Sequence, residues 1–340
     1  MTSHTILLPS SLDLIHSIEF ANSLRELPMV DEYILDFEAL EWVEPFGMLW
    51  VSGEIQRHSN QGTRFLAKNF TVNSYAAHMG FFQALGMNYG KLPGEVTGNL
   101  NYVPITILKV DELTKEARQQ FKEIGKIVEK RSEQLSKLLT RQEKGDLVDM
   151  LTYAFQEIIR NVIEHSRSKT IQYCAQYWPT KQLVEIAILD TGVGIKASLS
   201  ENPYLCVESD REALNLSLMP GISGKTYKGK PVDPYDVWQN SGFGLYITSR
   251  LCGNGGSFFI CSGNTGLLLD DSGKTYFTAS FQGTALRLQL RTSRTETLKQ
   301  SLKSFLKEGD EIAKSYSGNN RLTASKASRM LSADFERDDS

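Results

Sequence analysis

Cysteine is scarce in this chain of 340 residues. There are four, Cys174, Cys206, Cys252 and Cys261, and no two form a CxxC pair. That pattern excludes a zinc ribbon or a disulfide framework and points to a reducing, cytoplasmic compartment. Long apolar runs are also missing: none approaches the ~20 residues needed to span a bilayer. The opening MTSHTILLPSSLDLIHSIEF has neither the basic start nor the long apolar core of a signal peptide. Neither sign of charge dominates. The net charge of −3 and pI near 6.0 give no electrostatic ground for binding nucleic acid or an anionic membrane. Histidine numbers only five, a shortage that bears on the chemistry below. What remains is a composition 41% hydrophobic and 23% charged, that of a globular protein long enough for two domains. No internal repeats are present.

Residues 1–92 read as a small α/β unit. HTILLP, YILDF and RFLAKNFTV have strand character, while SLDLIHSIEFANSLREL, GMLWVSGEIQRHSNQGT and SYAAHMGFFQALGM have helical character. Alternation of this kind predicts a mixed sheet with helices packed on it. The stretches YILDFEALEWVEPFGMLWV and AAHMGFFQALGM resemble a STAS domain, the fold of anti-sigma-factor antagonists. One departure matters: regulatory STAS domains carry Asp-Ser-Ser-Gly after the strand, with a phosphorylated serine, and here the run is Glu44-Pro45-Phe46-Gly47. The resemblance therefore implies a STAS-like domain that lacks the phosphorylation switch. The alternative is an unrelated α/β docking domain.

Residues 93–145 read as a connector followed by a long helix. KLPGEVTGNLNYVPI is rich in Gly and Pro, and from Asp111 to about Arg141 an apolar seam runs through Ala117, Phe121, Ile124, Val128, Leu135 and Leu138. The seam suits packing against a neighbouring domain of the same chain, or pairing with a second copy as a homodimer. Asp146 is a candidate N-cap for the next helix. After it, KTIQYCAQYW and QLVEIAIL alternate as strands do across Pro179-Thr180-Lys181, predicting a hairpin, and GSFFICSG, KTYFTAS and TALRLQL read as later strands. Residues 293–340 read as a helix, ETLKQSLKSFLKEG, and then a tail too poor in large apolar residues to build a core.

Within residues 146–292, four short stretches stand in order. Glu157-xxx-Asn161 lies on a helix, where positions four apart share a face. Asp190-Thr191-Gly192-Val193-Gly194-Ile195 follows an apolar strand, Ser241-Gly242-Phe243-Gly244-Leu245 leads into a helix, and Gly283-Thr284 opens a strand. Together they resemble the N, G1, G2 and G3 boxes of the GHKL, or histidine kinase-like, ATPase superfamily. The fold this implies is a Bergerat-type α/β sandwich with a mixed sheet, giving an α/β (α+β) chain overall. The implied ligands are ATP and Mg2+.

The resemblance assigns Asn161 as the oxygen ligand of magnesium, a hard ion that shares its shell with water and phosphate. Glu157 becomes the base for the nucleophile that attacks the γ-phosphate. Asp190 accepts from the exocyclic amine of adenine, with Gly192, Gly194 and Ile195 passing close under base and sugar. Gly242, Phe243, Gly244 and Leu245 bring a helix N-terminus to the phosphates, and Thr284 supports the base. His165 reads as a helix-end or lid contact. The other histidines, His4, His16, His58 and His78, lie outside the 111–141 helix, which argues against a self-phosphorylating histidine kinase. The 46 residues between Ile195 and Gly242 read as a lid, with a short helix in EALNLSLM and with Lys225, Lys228 and Lys230 as candidate phosphate contacts.

Three uses of the nucleotide stay open. The chain is a bacterial-type, cytoplasmic signalling switch that hydrolyses ATP slowly, a serine/threonine kinase resembling anti-sigma factors, or an ATP sensor with negligible turnover. Each implies a protein partner of unstated identity, and none a membrane or nucleic acid.

Overall fold

The computed structural model describes residues 2–28, 30–99, 101–119, 124–224, 243–253, 256–294, 301 and 304–313. Its first elements are β1 (Ser3–Leu7), β2 (Ser11–Leu12), α1 (Leu14–Ser23), β3 (Glu32–Asp36), β4 (Trp42–Val43), α2 (Pro45–Asn60), β5 (Arg64–Lys68), α3 (Ser74–His78) and α4 (Phe81–Ala84). Strands β1, β3 and β5 make a parallel sheet in the order β1-β3-β5, because a helix fills each connection between them. The Asp13 carboxylate caps α1 by accepting from the His16 N–H at 3.0 Å. Helix α2 starts with Pro45, a residue preorganised for the first helical position.

The second part comprises β6 (Tyr102–Lys109), α5 (Val110–Gln119), α6 (Ile124–Thr140), α7 (Asp146–Asn161), β7 (Thr170–Trp178), β8 (Leu183–Asp190), α8 (Gly194–Leu199), α9 (Asp210–Ser217), α10 (Gly244–Gly253), β9 (Ser257–Asp270), β10 (Gly273–Arg291) and a last helix, α11, over 304–313. Its five strands run in the order β6-β7-β8-β10-β9.

The chain is thus mixed α/β with several sheets, but neither main sheet mixes its strand directions. All four pairings in the larger sheet are antiparallel, which corrects the mixed sheets read from the sequence. Connection length is the reason: β7 to β8 and β9 to β10 are joined by short turns, which allow only antiparallel neighbours. Three other elements differ from the sequence reading. Part of the expected connector is β6, an edge strand of the larger sheet. The expected long helix is described as α5 and α6, and KTYFTAS and TALRLQL are one strand, β10, with register shifts near Phe281. Asp146 opens α7 and Gly145 holds the cap position. Of the seam residues, Val128 is buried against α7 in the same core as Leu151 and Phe155, while Phe121 and the side chains of Ala117 and Leu138 lie outside the described residues.

Both faces of the larger sheet are covered, which explains why β8, LVEIAILD, is buried at every position after its first. Val184, Ile186, Ile188 and Asp190 share the face toward α7, and Glu185, Ala187 and Leu189 share the face toward α2. Helix α2 has little exposed surface. Phe46, Met48, Leu49 and Trp50 are fully buried, with Trp50 stacked on Phe281 at 5.1 Å. At the start of α2, Arg287 on β10 donates from Nε to Glu185 (3.1 Å) and from Nη2 to Glu44 (3.0 Å), and the Phe46 N–H donates to Glu185 (3.1 Å). Among the described residues, no helix is long and apolar enough to cross a membrane.

Candidate functional site

Helix α7 faces the sheet with Leu147, Leu151, Phe155, Ile158 and Ile159, so the next stripe around it meets the start of α10 and the turn after β8. Glu157 and Asn161 fall on that stripe. Asn161 is half-buried and lines a cavity; Glu157 is 2% exposed and does not line it. The Glu157 carboxylate pairs with Arg160 on the same helix, 5% exposed. It packs so closely on Gly244 that a Cβ there would fall 2.1 Å from Oε2. Burial pushes the Glu157 carboxyl up, and Arg160 opposes the rise. His165 belongs to the widened, π-type turn of Val162–Ser166 that follows α7, but its side chain lies outside the described residues.

That turn shapes the next part of the site. The Ser166 carbonyl accepts from the Val193 N–H at 2.7 Å and sits where a Cβ on Gly192 would be, 2.0 Å away. Only glycine fits at 192. The Asp190 carboxylate, 4% exposed at the end of β8, accepts from the Gly192 N–H at 2.8 Å. Burial raises its pKa to about 6, opposed by that N–H and by the hydroxyls of Ser166 and Thr284. Thr284 is in place because β10 pairs with β8 in a register that sets Thr284 opposite Asp190. Gly283, just before it, has φ +107° and would drive a Cβ to 2.0 Å from the Asp190 carbonyl.

The cavity holds about 720 Å³ of open space, including its mouth. Asn161, Asp190, Gly194, Ile195, Gly244, Leu245 and Thr284 all line it, so seven residues singled out from the sequence converge there. Gly192 stands beside it through its bond to Asp190. Phe243 does not reach it: the ring is fully buried against Tyr246 and the last helix, where it meets Gly309. Gly242, Lys225, Lys228 and Lys230 lie outside the described residues. No three His, Cys, Asp or Glu side chains group to hold a metal among the described residues; the side-chain oxygen of Asn161 lies in the cavity lining together with those of Asp190, Thr284 and several serines.

Several serines were missed. Ser262 accepts from the Ile195 N–H at 2.9 Å and donates to the Gly283 carbonyl at 2.7 Å, tying the turn after Asp190 to the turn before Thr284. A serine between buried Cys261 and Gly263, in an otherwise bulky strand, was the available signal. Ser166 directly follows His165, five residues after Asn161. Ser198, Ser217 and Ser223 line the cavity from the segment that follows Ile195, where Asn202 Nδ2 donates to the Ser223 carbonyl at 2.9 Å. The short helix expected in EALNLSLM is α9, which begins two residues earlier. No protein-family model matches the chain, and no curated protein does.

Proposed function

We propose that this cavity binds an adenine nucleotide with magnesium, and that the chain is a Bergerat-fold, GHKL-type ATP-binding regulatory protein joined to a STAS-like domain. The observation that carries the reading is the convergence of Asn161, Asp190, Gly194, Gly244 and Thr284, from four separate stretches, on one cavity. A buried carboxylate at Asp190 suits an exocyclic amine and disfavours the carbonyl that guanine presents instead. Serine and threonine hydroxyls around it supply the remaining polar contacts, and Ile158, Ile195, Leu199 and Leu286 supply apolar walls for a base. Gly244 opens α10, whose free backbone N–H groups and positive end favour phosphate. Magnesium, when bound, would offset phosphate charge, with Asn161 giving one oxygen and water and phosphate the others. The STAS-like reading is supported by the parallel β1-β3-β5 sheet and its alternating helices.

A second reading, a nucleotide sensor with negligible turnover, is favoured by one observation: Glu157 is paired with Arg160 and does not line the cavity. One experiment tests both. Equilibrium binding of ATP and GTP, with and without magnesium, is measured for wild type, Asn161→Ala, Asp190→Asn and Glu157→Gln, and label is followed from γ-labelled ATP. ATP should be preferred, Asn161→Ala should weaken binding only when magnesium is present, and Asp190→Asn should erase the preference. Released phosphate or a labelled protein that Glu157→Gln suppresses supports catalysis; binding without either supports the sensor. Absence of saturable ATP binding by the wild type sinks the proposal.

A further inference from the structure

A second cleft lies on the far face of the same sheet. Side chains alternate along a strand, so Leu189 points away from the face that carries Asp190 and meets α2 instead. With Phe281 it forms the apolar floor of a cleft of about 800 Å³, counted with its mouth, between α2, the start of β7, the end of β8 and the irregular middle of β10. Clefts where two structural units meet are favoured positions for small ligands.

Three observations give the class of ligand. Glu54 on α2 is 1% exposed and holds Arg57 through Nη2–Oε2 (2.8 Å) and Nε–Oε2 (3.3 Å) contacts, so the guanidinium is fixed at the cleft with Nη1 uncommitted among the described residues. Gln172, Gln282 and Thr191 line the walls, and their side chains make no hydrogen bond to described residues. The lining holds one cation, Arg57, and one anion, Glu54, and a second cation, Arg25, donates from Nη2 to the carbonyl of Ser280, the residue before Phe281, at 3.0 Å.

We propose that this cleft binds a small polar anion, with its carboxylate or phosphate on Arg57 and its body hydrogen-bonded by the amides of Gln172 and Gln282. Such a ligand touches the N-terminal unit and the strands that carry Asp190 and Thr284 at once, the position an effector requires. The proposal does not depend on the adenine reading.

Thermal and urea unfolding of the full chain at constant ionic strength, without nucleotide, tests it. The probes are sodium acetate, sodium phosphate and, as the uncharged control, acetamide. At ten times its Kd, the matching anion should shift the unfolding equilibrium about tenfold toward the folded state. Acetamide should do nothing, and whichever anion acts identifies carboxylate or phosphate as the group recognised. Arg57→Gln should abolish the effect. Because that change strands the buried Glu54, Gln282→Trp is the second variant, filling the mouth while leaving the Glu54–Arg57 pair intact; it too should abolish the effect. No saturable stabilisation by either anion, or an undiminished one in Gln282→Trp, overturns the proposal.

Discussion

Asp190→Asn isolates the charge at the centre of the candidate site. The carboxylate is 4% exposed, and its pKa stands at about 6 instead of 3.8. A raised acid pKa means that the folded state binds the proton more tightly than the unfolded chain. Stability is therefore full below pH 3.8, falls as the pH climbs through 6, and is flat above. At 1.36 kcal/mol per pKa unit, the ionised group costs the folded protein about 3 kcal/mol at neutral pH. Asparagine keeps the shape and an oxygen for the Gly192 N–H but carries no charge. The difference in stability between variant and wild type should thus grow by about 2.4 kcal/mol between pH 4 and pH 7. With a urea slope of about 3 kcal/mol/M, that is a midpoint shift of about 0.8 M. Urea melts of both proteins across this range read it directly, and subtraction removes every other titrating group. A difference that does not change with pH would refute the assigned cause, burial of an ionised carboxylate.

Two further perturbations test the frame around the site. Ser262→Ala removes the acceptor for the Ile195 N–H and the donor to the Gly283 carbonyl. It should lower stability by about 1–3 kcal/mol, read by urea melts, and weaken nucleotide binding in parallel. Arg287→Met leaves Glu185, 0% exposed, without its guanidinium partner. The cost should be about 3–5 kcal/mol by the same melts, with partial recovery when Glu185→Gln is added; a loss under about 1 kcal/mol contradicts the ion-pair account.

Local patterns made much of the architecture readable. Alternation in KTIQYCAQYW and QLVEIAIL around a Pro-containing turn defined the β7–β8 hairpin, and the helical character of GMLWVSGEIQRHSNQGT matches α2, though its burial on nearly all sides is set by the sheet it packs against. What local patterns miss is burial of charge. Nothing in VEIAIL says that Glu185 will meet Arg287 and Glu44, residues 102 and 141 positions away. Phe243 shows the same limit. Its place between two site glycines suggested a ligand contact, yet the fold turns the ring to the opposite side of α10.

The sequence by itself determined which residues have chemistry to offer, because side-chain type and spacing along a helix or strand are local properties. Tertiary structure alone decided which of them meet. The β8–β10 register sets Thr284 beside Asp190, the turn after α7 brings Ser166 under Gly192, and the packing of α10 on α7 closes Gly244 over Glu157. Those contacts depend on how distant segments pack, and close packing fixes them to within the width of a single Cβ.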